Sequence, residues 1–308
     1  MNNITGKNKF SILIVGYGAI GKIVSKFDHK ALEKIYIYTG RSKVDFDNSN
    51  ICSFHGELES ILELKFLQNI DNLIVVYCSG PDKQDGYTKS SFIKNTYQIP
   101  SDFLVKLSAI SSLNTKFIHI STMIGFDDCL VGKKMSSTHK ININNDLYTE
   151  VKKNLDIFIE NFKSANLSCV NLRISNLITA DHITSQRKVL LRLAKQLING
   201  ESITLQKDTY LDMITETQLM SALKEEFFCT DSNVSKNVVN QKTFKLDNLF
   251  IKFASLTNNI SSHGKIIISE NKNLNNTIPK YLCSFSSVKR ESLEVFAEEL
   301  YRLVNIEI

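Results

Sequence analysis

The stretch FSILIVGYGAIGKIVSKF, residues 10–27, decides the fold. It opens as an apolar run rich in Ile and Val, breaks at glycines, and resumes at helical spacing through Ile20, Ile23, Val24 and Phe27. That order is strand, tight turn, helix. Gly16, Gly18 and Gly21 form a G-x-G-x-x-G. In this context the spacing has a mechanism. One glycine permits the turn, one lets a pyrophosphate approach the backbone, and one lets the helix pack on the strand. The phosphate charge then meets the amides that open the helix, here those of Ala19 and Ile20. The reading is a nucleotide-cofactor turn; the alternative is a turn with no ligand.

Four further apolar runs follow: KIYIYTG (34–40), NLIVVYCSG (72–80), KFIHIST (116–122) and LSCVNLRIS (167–175). Helical stretches such as PSDFLVKLSAISS (100–112) lie between some of them. Strands alternating with helices predict an α/β fold, a doubly wound parallel sheet of Rossmann type. Ligands of such sheets bind beyond the carboxyl ends of the strands. The glycines, Cys78 with Ser79, Thr122 and Ser175 all fall there. After about residue 180 the character changes. Residues 185–205 read as a helix stopped by Gly200, then a short strand, and 215–228, 243–257 and 291–304 read as helices. The expected organisation is a dinucleotide-binding domain over 8–180, with a returning segment near 233–250, and a smaller, mostly helical substrate region over 181–308.

Composition narrows the function. The 308 residues are 43% hydrophobic and 22% charged, which is globular. Net charge is +5 without a basic block, so a nucleic-acid surface is not expected, whereas an anionic small ligand is compatible. The 6 cysteines are far apart, with no Cys-x-x-Cys and no expected metal site. No apolar run reaches the ~18 residues of a membrane helix, and no signal peptide is read, so the expected location is cytoplasmic.

The end of the second strand reads IYTGRSK (37–43), without the acidic residue that usually holds the ribose hydroxyls of NAD. Arg41 and Ser42 stand close by, and an arginine there can hold a 2′-phosphate. NADP is expected over NAD. In NNDLYTEVKKNLDIFIENF (144–162), Val151, Leu155, Phe158 and Phe162 recur at helical spacing. Tyr148 and Lys152 then share one face. A lysine cation near a phenol stabilises the phenolate and makes the tyrosine a usable proton donor or acceptor.

Taken in order, these stretches resemble a short-chain dehydrogenase/reductase of the extended, partly atypical kind, the NAD(P)-dependent sugar-nucleotide epimerase, dehydratase and reductase group. VGYGAIGK resembles its glycine motif, NLIVVYCSG its third dinucleotide strand, HISTMIGFDD the strand that delivers a Ser/Thr, and YTEVK its Tyr-x-x-x-Lys. LRISNLI is similar to the strand end that begins the substrate site, and INGESITL and YLDMITETQL, more faintly, to segments framing the substrate nucleotide. The resemblance implies that Tyr148 is the general acid or base and that Lys152 lowers its pKa and holds the nicotinamide ribose. It implies that Thr122 hydrogen-bonds the substrate and that Asn95 orders the next helix or a relay water. Met123 and Asn176 join Thr122 and Tyr148 at the substrate. It also implies a homodimer built on the helix carrying the pair.

Three departures shape the expected reaction. The first glycine gap is one residue shorter than the usual G-x-x-G-x-x-G. Met123 and Ile124 follow Thr122 where dehydratases carry acids, and neither can transfer a proton. Leu211 stands where many members place an arginine for the substrate phosphates. The expected activity is NADP-dependent reduction of a keto group, most simply on a 4-keto-6-deoxy sugar nucleotide in surface-polysaccharide synthesis. An epimerase using the same residues, a reductase of another carbonyl and a non-catalytic NADP-binding sensor or scaffold stay open.

Overall fold

The structure, a computed structural model, describes residues 9–40, 43–63, 65–80, 88–110, 112–123, 134–135, 147–179, 189–257, 265–269, 280–281 and 284–305. The chain divides into two compact units. The first comprises 1–125, 141–173 and 220–236; the second comprises 126–140, 174–219 and 237–308.

The first unit is built on one seven-stranded sheet: β1 (Phe10–Val15), β2 (Leu32–Tyr38), β3 (Ile51–Phe54), β4 (Asn72–Tyr77), β5 (Asn114–Thr122), β6 (Leu167–Ile174) and β7 (Val234–Val238). Their order across the sheet is β3-β2-β1-β4-β5-β6-β7. The ladders β1–β2, β2–β3, β1–β4 and β4–β5 are parallel, with Ile12 opposite both Ile35 and Ile74. This is the doubly wound sheet expected from the five apolar runs. β1 is buried at all six positions, which is why it reads as an unbroken apolar run. Successive residues serve opposite faces. Leu13, Val15, Val75, Tyr77 and Phe117 pack with Phe103 and Leu104 of α3 (Ile99–Ser108) and with Leu155 and Ile159 of α4 (Leu147–Asn161). On the other face Gly21 of α1 (Ala19–Val24) approaches Ile14, and Phe27 meets Phe227 at the end of α6 (Glu216–Phe227), ring centroids 4.8 Å apart.

Two sheet strands lie outside the five runs. Ile51–Phe54 is short and only partly buried. Val234–Val238 reads VSKNV, and its lysine and asparagine break the apolar pattern. Asn237 is nonetheless fully buried, and Lys236 is held by Glu226 at 2.7 Å.

The chain reverses its strand order between β1 and β4, so a crevice opens there beyond the carboxyl ends. Val15, Tyr38, Tyr77 and Thr122 are the last residues of the strands bordering it.

The second unit holds α5 (Val189–Ile198), α7 (Leu246–Leu256) and α8 (Leu293–Asn305). Their apolar faces meet in one core around Leu191, Leu197, Phe250, Phe253, Phe296 and Leu300. Short parallel pairs, Ile203–Gln206 with Ile266–Ser269 and Asn176–Ile178 with Met213–Thr215, edge it. Among the described residues no helix is long and apolar enough to cross a membrane.

Candidate active site

The glycine turn is fixed from three sides. Gly16 has φ +100°, a left-handed conformation that favours glycine. A Cβ on it would lie 2.8 Å from the backbone nitrogen of Ser79. Its own N–H donates to the Tyr38 carbonyl at 2.9 Å, so β2 holds the turn from one side. Cys78 holds it from the other: its N–H donates to Val15 O at 2.9 Å and its thiol donates to Gly16 O at 3.0 Å. Burial pushes the Cys78 thiol up to about 12, so it keeps the proton this contact needs. Gly21 is required by the helix, because a Cβ there would sit 2.1 Å from Gly16 O.

Gly18 differs. Its φ is −81°, open to any residue, and a Cβ built on it meets nothing within 4 Å. Neither strain nor packing explains a glycine here. The space in front of it, at the N-terminal end of α1 beside Ala19 and Ile20, fits a group arriving from outside, such as a dinucleotide pyrophosphate.

At the end of β2 the structure shows Thr39, whose Oγ1 and N–H both donate to Phe54 O, at 3.1 and 2.9 Å, and Gly40 at φ +69°. Arg41 and Ser42, the expected 2′-phosphate ligands, lie outside the described residues. No carboxylate occupies positions 39 or 40. The acid that follows, Asp45, is exposed and pairs with Lys43 at 3.5 Å. Tyr17, inside the glycine turn, packs edge-on against Phe46 at 5.2 Å, which ties the loop after β2 to the turn.

Thr122 closes β5, with buried Met123 directly after it. Tyr148 stands in the first turn of α4, half-buried, its ring 6.0 Å from Phe92. Lys152, one turn on, is half-buried and points to the end of β4: its Nζ lies 3.5 Å from the position a Cβ on Gly80 would take. The glycine turn, Cys78, Ser79 and the Lys152 ammonium therefore meet at the carboxyl end of β4. Burial lowers the Lys152 pKa, against the attraction of Asp156.

Asn95 lies in a π-helical turn, Lys94–Gln98, between α2 (Lys89–Ile93) and α3, and its amide donates to Ser91 Oγ at 3.3 Å. Such turns often mark functional positions. Asn176 belongs to the second unit. Its Nδ2 and backbone N–H both donate to the Asp212 carbonyl, at 3.0 and 3.3 Å.

A buried polar group beneath Lys152 escaped the sequence reading. Asp156, His119, Asn171 and Arg173 are each at most 4% exposed. Arg173 Nε donates to Asp156 Oδ2 at 2.9 Å, and His119 Nδ1 lies 3.1 Å from Asn171 Oδ1. The signal was available: an acid four residues after Lys152, and a histidine in the middle of an apolar strand. Among the described residues no cluster of His, Cys, Asp or Glu could hold a metal ion.

No protein-family model matches the chain, and no curated protein matches it by sequence. Solved structures do match. ADP-L-glycero-D-manno-heptose-6-epimerase of Helicobacter pylori superposes with a TM-score of 0.76 at 14% identity, over 98% of each chain. The dTDP-glucose 4,6-dehydratase of Bacillus anthracis, in complex with NAD, gives 0.78 at 14% identity, over 96% of this chain and 97% of that one. RMD of Pseudomonas aeruginosa, complexed with NADPH, gives 0.72 at 12% identity, over 96% and 99%. The chain thus shares the Rossmann-type fold of the extended short-chain dehydrogenase/reductases that its sequence resembles.

Proposed function

We propose that the protein is an NADP-dependent oxidoreductase that reduces the keto group of a nucleotide-linked sugar, a 4-keto-6-deoxy sugar being the substrate class in view. The observation that carries this reading is the open space at Gly18. Two of the three glycines are demanded by the protein's own packing; the third meets nothing, which leaves room for a ligand to approach the backbone. Structural neighbours bound to NAD and to NADPH support a nicotinamide cofactor. The absence of an acid after β2 favours NADP, with Arg41 and Ser42 on its 2′-phosphate.

In this reading Gly16, Gly18, Ala19, Ile20 and Gly21 cradle the pyrophosphate, while Cys78 and Ser79 border the dinucleotide. When bound, the cofactor supplies the hydride. Thr122 donates a hydrogen bond to the substrate carbonyl oxygen and holds it in line with Tyr148. Tyr148 delivers the phenolic proton to that oxygen as charge develops on it. The Lys152 ammonium stabilises the phenolate left behind and holds the nicotinamide ribose. Met123 offers no proton, consistent with reduction without elimination of water. Asn95 orders the helix beside the pair. Residues 8–180 are assigned to the dinucleotide and 181–308, with Asn176, to the substrate.

An epimerase using the same Thr122, Tyr148 and Lys152 is the second reading, favoured by the heptose-epimerase neighbour. Titration with NADPH and NADH, followed by nicotinamide fluorescence, tests the cofactor assignment. Tighter NADPH binding is expected; NADH preference would remove the Arg41 role, and no binding of either by folded protein would leave a non-catalytic scaffold. A screen of 4-keto sugar nucleotides separates the reactions. A reductase consumes one NADPH per product, whereas an epimerase consumes none.

A further inference from the structure

Asp156 lies one helical turn beyond Lys152 and two beyond Tyr148, on the same stripe of α4. The stripe faces the sheet there, and Asp156 is 1% exposed. A carboxylate in that position must be matched by charge and hydrogen bonds. Oδ2 is matched by Arg173 Nε at 2.9 Å. Oδ1 has no hydrogen bond among the described residues and lies 3.5 Å from His119 Nδ1. That nitrogen's N–H is shared, with Asn171 the nearer acceptor and Asp156 the more distant one. The Asn171 amide donates to Asp156 O at 3.0 Å and to Ser235 Oγ at 3.2 Å, so its Oδ1 accepts from His119 Nδ1 at 3.1 Å. Burial lowers the His119 pKa, and the ring is neutral near pH 7.

The charges can now be counted. Arg173 is shared: its second nitrogen donates to Glu160 Oε1 at 3.2 Å, and Glu160 also accepts from Ser235. Two carboxylates therefore divide one guanidinium. His119 and Asn171 are neutral, and Cys78 keeps its proton. On the same stripe of α4 the cation is Lys152, one turn from Asp156 and attracted by it. We propose that Asp156 is a positioning residue for the Tyr148–Lys152 pair, its buried carboxylate keeping Lys152 charged and drawn to the end of β4. The proposal rests on the reading of that pair given above. It adds a distinct element: the lysine's charge depends on a group that touches neither substrate nor cofactor.

The test reads Lys152 directly and needs no substrate. Competitive acetylation with acetic anhydride across pH, with the Lys152 peptide quantified by mass spectrometry, gives that amine's titration in the folded chain. Asp156→Asn should shift it downward by about one unit, seen as about tenfold faster labelling near neutral pH. Asp156→Glu should restore most of it. An unchanged titration in folded Asp156→Asn overturns the proposal. If that variant does not fold, the pair Asp156→Asn with Arg173→Gln removes both buried charges together. Loss of the Arg173 cation offsets part of the change, so the pair is compared with Arg173→Gln alone. Lys152 should label faster in the pair, and equal labelling overturns the proposal. NADPH titration of the parent separates the two ideas. Failure to bind would defeat the proposed function while the labelling result still decides the role of Asp156.

Discussion

A side-chain carbon on Gly21 would lie 2.1 Å from the carbonyl oxygen of Gly16, so the helix and the turn that feeds it are in backbone contact. The three glycines therefore predict three different phenotypes. Gly21→Ala forces α1 away from β1, and Gly16→Ala adds a Cβ 2.8 Å from Ser79 N at a positive φ. Each should cost about 1–3 kcal/mol of stability and weaken dinucleotide binding with it. Gly18→Ala should leave the melting temperature within a degree or two of the parent, since nothing meets the new carbon, yet lower NADPH affinity at least about tenfold. Thermal melts and fluorescence titrations read both quantities. Unchanged affinity in Gly18→Ala would remove the main support for a pyrophosphate at this turn.

This contrast shows what was legible in the sequence. The strand, turn and helix around Gly16, Gly18 and Gly21 could be read because each step has a local cause: an apolar run, a conformational demand, a helical period. The sheet was read from runs buried on both faces. β7 gives no apolar run, because its Lys236 and Asn237 are made acceptable by partners outside the strand, Glu226 and Ser284. Asp156 was passed over for a similar reason. On a helical wheel it is one more polar residue, and only the fold brings Arg173 and His119 to it. Local chemistry shows in the sequence, whereas a buried polar residue shows its function only with its partners in place.

Tyr148→Phe removes one oxygen from a half-buried ring packed near Phe92, so folding and NADPH binding should persist while turnover falls by about 10²-fold or more. Lys152→Met should lower both turnover and NADPH affinity, because the lysine is given two roles. Equal losses of affinity in the two variants would mean that the pair acts in binding alone. Activity retained in Tyr148→Phe would move the proton donor to another residue.

The outer face of α4 carries a groove of about 800 Å³ lined by Ile93, Tyr97, Val151, Ile157, Phe158 and Phe162, among others. Ile157 is 44% exposed there. Apolar surface left open on a helix is a natural contact for a second copy. A homodimer built on this face predicts that Ile157→Glu shifts sedimentation from dimer to monomer with the far-ultraviolet circular dichroism unchanged. A parent protein that sediments as a monomer at tens of micromolar would end the assignment of this face to self-association.

Lys116 is 3% exposed on β5, and burial lowers its pKa against the pull of Glu226. Its Nζ pairs with the Glu226 carboxylate and donates to Cys229 O at 2.7 Å, while Lys236 holds the other Glu226 oxygen at 2.7 Å. Lys116→Met leaves the backbone carbonyls of Glu226 and Cys229 without their donor and halves the positive charge around a fully buried carboxylate. The expected loss is about 3–5 kcal/mol, read as a lower urea midpoint at constant slope. A loss under about 1 kcal/mol would mean that Lys236 alone satisfies Glu226.

The same physics sets the acid sensitivity of the first unit, in two windows. His119 is held below its ordinary value by burial, so the unfolded chain binds its proton first. Stability should begin to fall as pH drops through about 6.5, where an unfolded histidine titrates. For Asp156, burial pushes the carboxyl up, but the neighbouring His119 and Arg173 outweigh it and hold the pKa below the usual aspartate range. Its contribution is fully present above the unfolded aspartate value, about 4, and is lost as pH falls through the lower folded value. Asp156→Asn should therefore be less stable than the parent near pH 7, by about 3–5 kcal/mol, since Arg173 loses its buried partner. Below about pH 4 the two curves should converge, because the parent's carboxylate is then being protonated. His119→Asn should flatten the first window and leave the second. Urea midpoints for the three proteins from pH 3 to pH 8 test both assignments together. A gap between parent and Asp156→Asn that stays constant across that range would show that the carboxylate's charge contributes nothing and that the aspartate serves only by its shape.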